Sequence, residues 1–184
     1  MNKLLLLLMM VGGGFMAGAA PLWMRYNTIS PDGSKIAFAY KGDIYVVDSR
    51  GGAGQRLTAW DSFESAPVWS NDGKTLAFVS DRNGGRDIFT IPATGGTATQ
   101  VTTHSAQENA LAFSKDDKYI YYTAVIQDPA HSVMFPDSWI SELYRIPVTG
   151  GRPEQILAAP VSNLCFDADG ESFLYENRTG SENI

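Results

Sequence analysis

At 184 residues, 44% of them hydrophobic and 18% charged, the chain has the size and composition of one folded domain rather than of a disordered or fibrous protein. Its 14 Lys and Arg against 20 Asp and Glu leave a net charge of -6 without any basic cluster, which argues against nucleic acid or an anionic membrane as partner. The nine Phe, eight Tyr, four Trp, 18 Gly and nine Pro favour strands and tight turns over helices, so the expected class is all-β.

Residues 1–19 read as a secretory signal peptide. Lys3 is the positive start, Leu4 to Val11 an unbroken apolar run, and Ala17-Gly18-Ala19 supplies small residues at cleavage spacing. A membrane anchor is the alternative, but the apolar stretch is interrupted by Gly12-Gly13-Gly14 and stopped by Pro21, short of the ~20 residues a span needs. The expectation is an exported, periplasmic domain over residues 20–184 that does not contact membrane after cleavage. The single cysteine, Cys165, can form no internal disulfide, and between Leu164 and Phe166 it reads as a small buried apolar residue.

From Trp23 onward the chain repeats itself. Ser30-Pro31-Asp32-Gly33 returns as Ser70-Asn71-Asp72-Gly73, Ser114-Lys115-Asp116-Asp117 and Asp167-Ala168-Asp169-Gly170, at offsets of 40, 44 and 53 residues. Each copy leads into an apolar run (Lys35 to Phe38, Thr75 to Phe78, Tyr119 to Tyr122, Ser172 to Tyr175). Then follow Asp43-Ile44-Tyr45, Asp87-Ile88-Phe89, Glu142-Leu143-Tyr144 and Asn183-Ile184, with a double glycine after each of the first three. In the second unit the strands are expected at Ala66 to Trp69, Thr75 to Ser80, Asp87 to Pro92 and Thr99 to Thr102, too short for helices. Four short antiparallel strands per repeat of about 40 residues describe a β-propeller blade. The predicted blades cover about 23–62, 63–106, 107–160 and a truncated 161–184, roughly three and a half in all. Stopping inside a blade, this incomplete propeller reads as the N-terminal piece of a longer protein, with total blade number undetermined.

The loop between second and third strands lengthens from unit to unit, and in the third it carries an insertion around Val125 to Ser141. Insertions at one loop position project from one face of a propeller, and such faces often bind. His131, Met134, Phe135 and Trp139 are the candidate peptide or partner contacts, against the plainer reading that they pack over their own blade.

The stretches "SPDGSKIAF…GDIYVVD…GG…RLT" and "SNDGKTLAFVSDRNGGRDIFTIPATGGTATQVTTH" resemble the TolB-type, WD40-like propeller repeat. "PLWMRYNTISPDGSKIAFAYKGDIYVV", "AVIQDPAHSVMFPDSWISELYRIPVTGGRPEQIL" and "FDADGESFLYENRTGSEN" are similar to the first propeller of exported bacterial tricorn-type serine proteases. That resemblance implies a non-catalytic front end that admits or positions peptide for a catalytic domain further along, with the remaining blades and that domain as its partners. Asp117 departs from the turn glycine and Asp167 from the turn serine. The alternative is a TolB-like periplasmic interaction scaffold without an enzyme attached, and a third option is the propeller of a prolyl-oligopeptidase-like hydrolase.

The residues themselves argue against chemistry in this chain. A serine hydrolase could be drawn from Ser30, Asp32 and a histidine, but no G-x-S-x-G elbow occurs. His104 occupies the slot that Trp60 holds one repeat earlier, a strand-end position. No His-x-His, Cys-x-x-Cys, calcium-loop or phosphate-loop spacing appears, so neither metal nor cofactor is expected. A serine that recurs at blade spacing and is once exchanged for aspartate reads as a turn residue.

Overall fold

The computed structural model describes residues 23–125 and 141–176, in which there are strands and turns but no helix. The first sheet is β1 (Arg25–Ile29), β2 (Lys35–Tyr40), β3 (Asp43–Asp48) and β4 (Gln55–Arg56), paired antiparallel in that order. The second repeats it with β5 (Glu64–Trp69), β6 (Thr75–Ser80), β7 (Asp87–Pro92) and β8 (Thr99–Gln100). The third is β9 (Glu108–Phe113), β10 (Tyr119–Ala124), β11 (Glu142–Pro147) and β12 (Glu154–Leu157), and β13 (Asn163–Phe166) with β14 (Phe173–Glu176) forms a two-stranded sheet. Three four-stranded blades and the opening hairpin of a fourth make an unclosed β-propeller, as the repeats predict. The signal segment, the insertion residues His131, Met134, Phe135 and Trp139, and Asn183-Ile184 lie outside the described residues.

The recurring turn is built by side chains as much as by backbone. Gly33 N donates to Ser30 O at 2.8 Å, and Gly33 takes φ 71°, the left-handed conformation glycine adopts without penalty. Ser30 Oγ donates to Asp32 Oδ1 at 2.6 Å and accepts from Lys35 N at 2.9 Å. Ser70 and Ser114 make the same pair of bonds, to Asp72 and Asp116 and from Thr75 and Tyr119. In the fourth copy Asp167 Oδ1 accepts from Ser172 N at 3.2 Å, so a carboxylate replaces the hydroxyl as acceptor. Serine bonds hold the Asp32 and Asp116 carboxyls down to about 2. Ser30 and Asp32 are a corner of the fold.

The inner strand of the second blade starts at Glu64, two residues before its predicted start. A bulge between Ser65 and Val68, with Ala66 at φ 49°, lets the strand continue through an irregular register. The first blade bulges at the equivalent Tyr26, φ 53°. Beyond β8 the backbone still bonds at Val101 N to Ile88 O, 2.8 Å, but the regular ladder ends at Gln100.

Each middle strand feeds two cores, which is why the runs are apolar on both faces. Leu76 and Phe78 pack with Ala37, Ile44 and Val46 of the first blade. Ala77 and Ile88 pack with Ile120, Tyr122 and Ile146 of the third. Tyr121 and Leu143 meet Leu164, Phe166 and Phe173 of the fourth, with the Tyr121 and Phe166 rings edge to face at 4.9 Å. Strand alternation then turns Cys165 the other way, alongside its cross-strand partner Leu174. Cys165 is exposed, contrary to the buried position its apolar neighbours suggest.

Candidate functional site

The antiparallel order sends the chain's connections to two ends of the blades. The serine-aspartate turns and the double glycines share one end. The β2–β3 and β4–β5 connections, and their counterparts in later blades, share the other, which is also the end where the insertion leaves β10 and rejoins at β11. This second end is the candidate functional face.

Its centre is an arginine gripped from all sides. The Arg82 guanidinium donates to Glu64 Oε1 at 2.9 Å and to Ser80 Oγ at 2.9 Å, and its carbon lies 4.3 Å from the Phe89 ring centroid and 5.1 Å from that of Trp60. Both partners of the ion pair are withdrawn from water, Glu64 wholly so. Trp60 covers this cluster and remains 61% exposed, and Phe63, three residues on in the same connection, is 51% exposed. Phe63 N donates to Asp81 Oδ1 at 2.8 Å, which ties the two loops of the face together.

Beside Phe63 lies an open groove of about 400 Å³, lined among others by Trp23, Arg25, Tyr26, Tyr40 and Lys41. The two-residue connection Lys41-Gly42, φ 52° and 88°, is a type I′ turn that lifts Lys41 onto the rim. Arg25 sits 5.6 Å from the Trp23 ring centroid, and Lys41 5.5 Å from that of Tyr40.

The seams between blades hold buried acids. In the first seam Asp43 pairs with Arg56 at 2.7 Å, and Ile44 N donates to Thr58 Oγ1 at 2.9 Å. In the second, Ile88 N donates to Thr102 Oγ1 at 2.8 Å and Thr102 Oγ1 donates to Glu108. Gln100 stands where Arg56 would be, donating to Asp87 at 3.1 Å. Among the described residues, Asp87 Oδ1 and Glu108 Oε1 are buried and find no hydrogen-bond partner. Burial, with Asp87 nearby, pushes Glu108 up to about 7 despite the Thr102 bond.

His104 is a loop cap: its Nδ1 accepts the Ala106 amide at 3.0 Å. Among the described residues no three His, Cys, Asp or Glu come together as metal ligands. The proposed contacts His131, Met134, Phe135 and Trp139 lie outside the described residues, so the face is defined by Trp23, Trp60, Phe63 and Arg82, none of them singled out by the sequence reading as a contact residue.

Comparison with known proteins places this geometry. The family described as "Tricorn protease N-terminal beta propeller domain" matches residues 21–183. The Tol-Pal system protein TolB of Desulfosudis oleivorans is 42% identical over 59 residues, 30% of this chain and 14% of that protein. The uncharacterized peptidase YuxL of Bacillus subtilis is 32% identical over 65 residues, 30% of this chain and 10% of that protein. The matched segments thus span a small fraction of these curated relatives. Among solved structures, TolB from Acinetobacter baumannii superposes with a TM-score of 0.65 at 20% identity, covering 87% of this chain and 39% of that one. The tricorn protease superposes with a TM-score of 0.51 at 18% identity, covering 73% and 16%. At such identities these likenesses show the fold, and the family match goes further: the chain belongs to the tricorn protease N-terminal β-propeller family.

Proposed function

We propose that this chain is the non-catalytic front end of an exported tricorn-like serine peptidase, receiving unstructured peptide on its loop face for a catalytic domain elsewhere in the parent protein. The observation that carries this reading is the family match over residues 21–183. The exposed Trp60, held over Arg82, and the exposed Phe63, whose backbone is tied to Asp81, supply the physical means, since positioned aromatics hold a chain at little entropic cost. Export rests on Lys3 and the apolar run after it. Peptide binding to the chain, followed by anisotropy of labelled unstructured peptides, tests the reading. Truncating Trp60 and Phe63 together to Ala should weaken binding about tenfold, the effect of removing one to two kcal/mol of interface anchor. Unchanged binding would remove this face from the mechanism.

The 42% identity to TolB favours a second reading, an interaction scaffold for folded proteins with no enzyme attached. It is distinguished in the same assay: a scaffold ignores unstructured peptides and retains a folded partner.

A further inference from the structure

The groove beside Phe63 differs from what the fold requires. Arg25 and Tyr26 sit at the inner-strand bulge, and the same two positions hold Ser65 and Ala66 in the second blade and Asn109 and Ala110 in the third. Small or uncharged residues therefore suffice to build the bulge. A guanidinium and a phenol at these places need another explanation.

Charge supplies it. The chain carries a net charge of -6, yet the lining of this groove contains Arg25 and Lys41 and no Asp or Glu. Of the acids in the neighbouring connections, Asp81 accepts the Phe63 amide, Glu64 is paired with Arg82 and Asp43 with Arg56, while the exposed Asp61 adjoins Ser62 but is not part of the lining. Among the described residues neither Arg25 nor Lys41 forms an ion pair, and both lie at the surface against aromatic rings. A positive, aromatic-walled trough on an acidic protein selects an anionic ligand that also has an apolar part.

We propose that this groove docks an extended peptide segment in which an internal Asp or Glu adjoins a large apolar side chain. Arg25 and Lys41 take the carboxylate, and Trp23, Tyr26 and Phe63 take the apolar group. The inference rests on the peptide-receiving reading above and adds the class of sequence received.

The test measures binding of three labelled peptides to the full chain by fluorescence anisotropy. Two have blocked ends and centre on Asp-Phe or Asn-Phe; the third is the Asn-Phe peptide with a free C-terminal carboxylate. The Asp-Phe peptide should bind about fivefold more tightly than its blocked Asn-Phe counterpart at low salt, an advantage that shrinks at high salt. The double variant Arg25→Gln, Lys41→Gln, which alters two exposed side chains and should leave the melting temperature unchanged, should erase that advantage. Equal affinity for the two blocked peptides, or an advantage that persists in the double variant, overturns the inference and leaves peptide reception standing. Preference for the free carboxylate over the internal Asp overturns it in favour of chain-end recognition. Failure of every peptide to bind overturns both readings.

Discussion

Asp117 shows how one residue can serve two scales. In the other three turns glycine takes this position at φ 69° to 78°, and Asp117 takes it at 57°, where a Cβ costs about 1–2 kcal/mol. In return its carboxylate accepts from Asn71 N at 2.7 Å, Asn71 Nδ2 at 2.7 Å and Asp72 N at 2.9 Å, reaching across to the neighbouring blade's turn. The departure that looks like a lapse in the repeat is a clamp between blades. Asp117→Ala keeps the backbone strain and loses the clamp, and should cost about 1–3 kcal/mol in a denaturant melt. Asp117→Gly, which relieves the strain, should be about 1 kcal/mol milder. Equal losses would mean that the strain is negligible.

Among elements, the seams between blades follow one plan with different electrostatics. The first seam balances Asp43 and Glu64 with Arg56 and Arg82. The second has Asp87 and Glu108, with Gln100 in place of one arginine, and Ile126 occupies the sequence position corresponding to the other. Burial raises Asp87 as well as Glu108, and the Tyr122 hydroxyl on β10 is pushed upward by burial and by Glu108. With its folded-state value near 7 against an ordinary 4.5, Glu108 contributes most below 4.5, and that contribution is withdrawn as pH rises through about 7. The melting temperature should therefore fall between about pH 5 and pH 8. Glu108→Gln, neutral throughout and still able to accept from Thr102, should flatten the profile in that window. A slope identical in both proteins would assign it to other groups.

Over the whole molecule, apolar surface is distributed unevenly. On the face of the first blade turned away from the second, Tyr45 stacks on Phe38 and meets Tyr40 edge to face, with ring centroids 5.7 and 5.9 Å apart, and Tyr40 and Tyr45 stay half-buried. At the other end of the array Leu174 is 79% exposed beside Cys165. Propeller blades bury such faces against one another. The 184-residue chain should accordingly enhance the fluorescence of a hydrophobic dye while its far-ultraviolet spectrum reports β-sheet, and Leu174→Lys should lower the enhancement. A chain silent to the dye would mean that these faces are covered in solution.

The sequence by itself determined that the chain folds into four-stranded antiparallel blades and roughly where their strands lie, though not the bounds of β5 and β8. Those depend on local rules: a serine-aspartate-glycine corner, a period of about 40 residues, and runs apolar on both faces. It also determined that Ser30 and His104 are structural, because each recurs or is replaced at repeat spacing. It did not determine which face collects the aromatic residues. Trp23 precedes β1, Lys41 joins β2 to β3 and Phe63 lies between β4 and β5, and only antiparallel pairing brings them to one end. Arg25 and Tyr26 were legible as departures from Ser65 and Ala66, but their meaning needed the groove. Cys165 was misjudged for the same reason: neighbours in sequence give the character of a strand, whereas strand alternation and the packing of Leu164 and Phe166 against the third blade decide which side of it meets water.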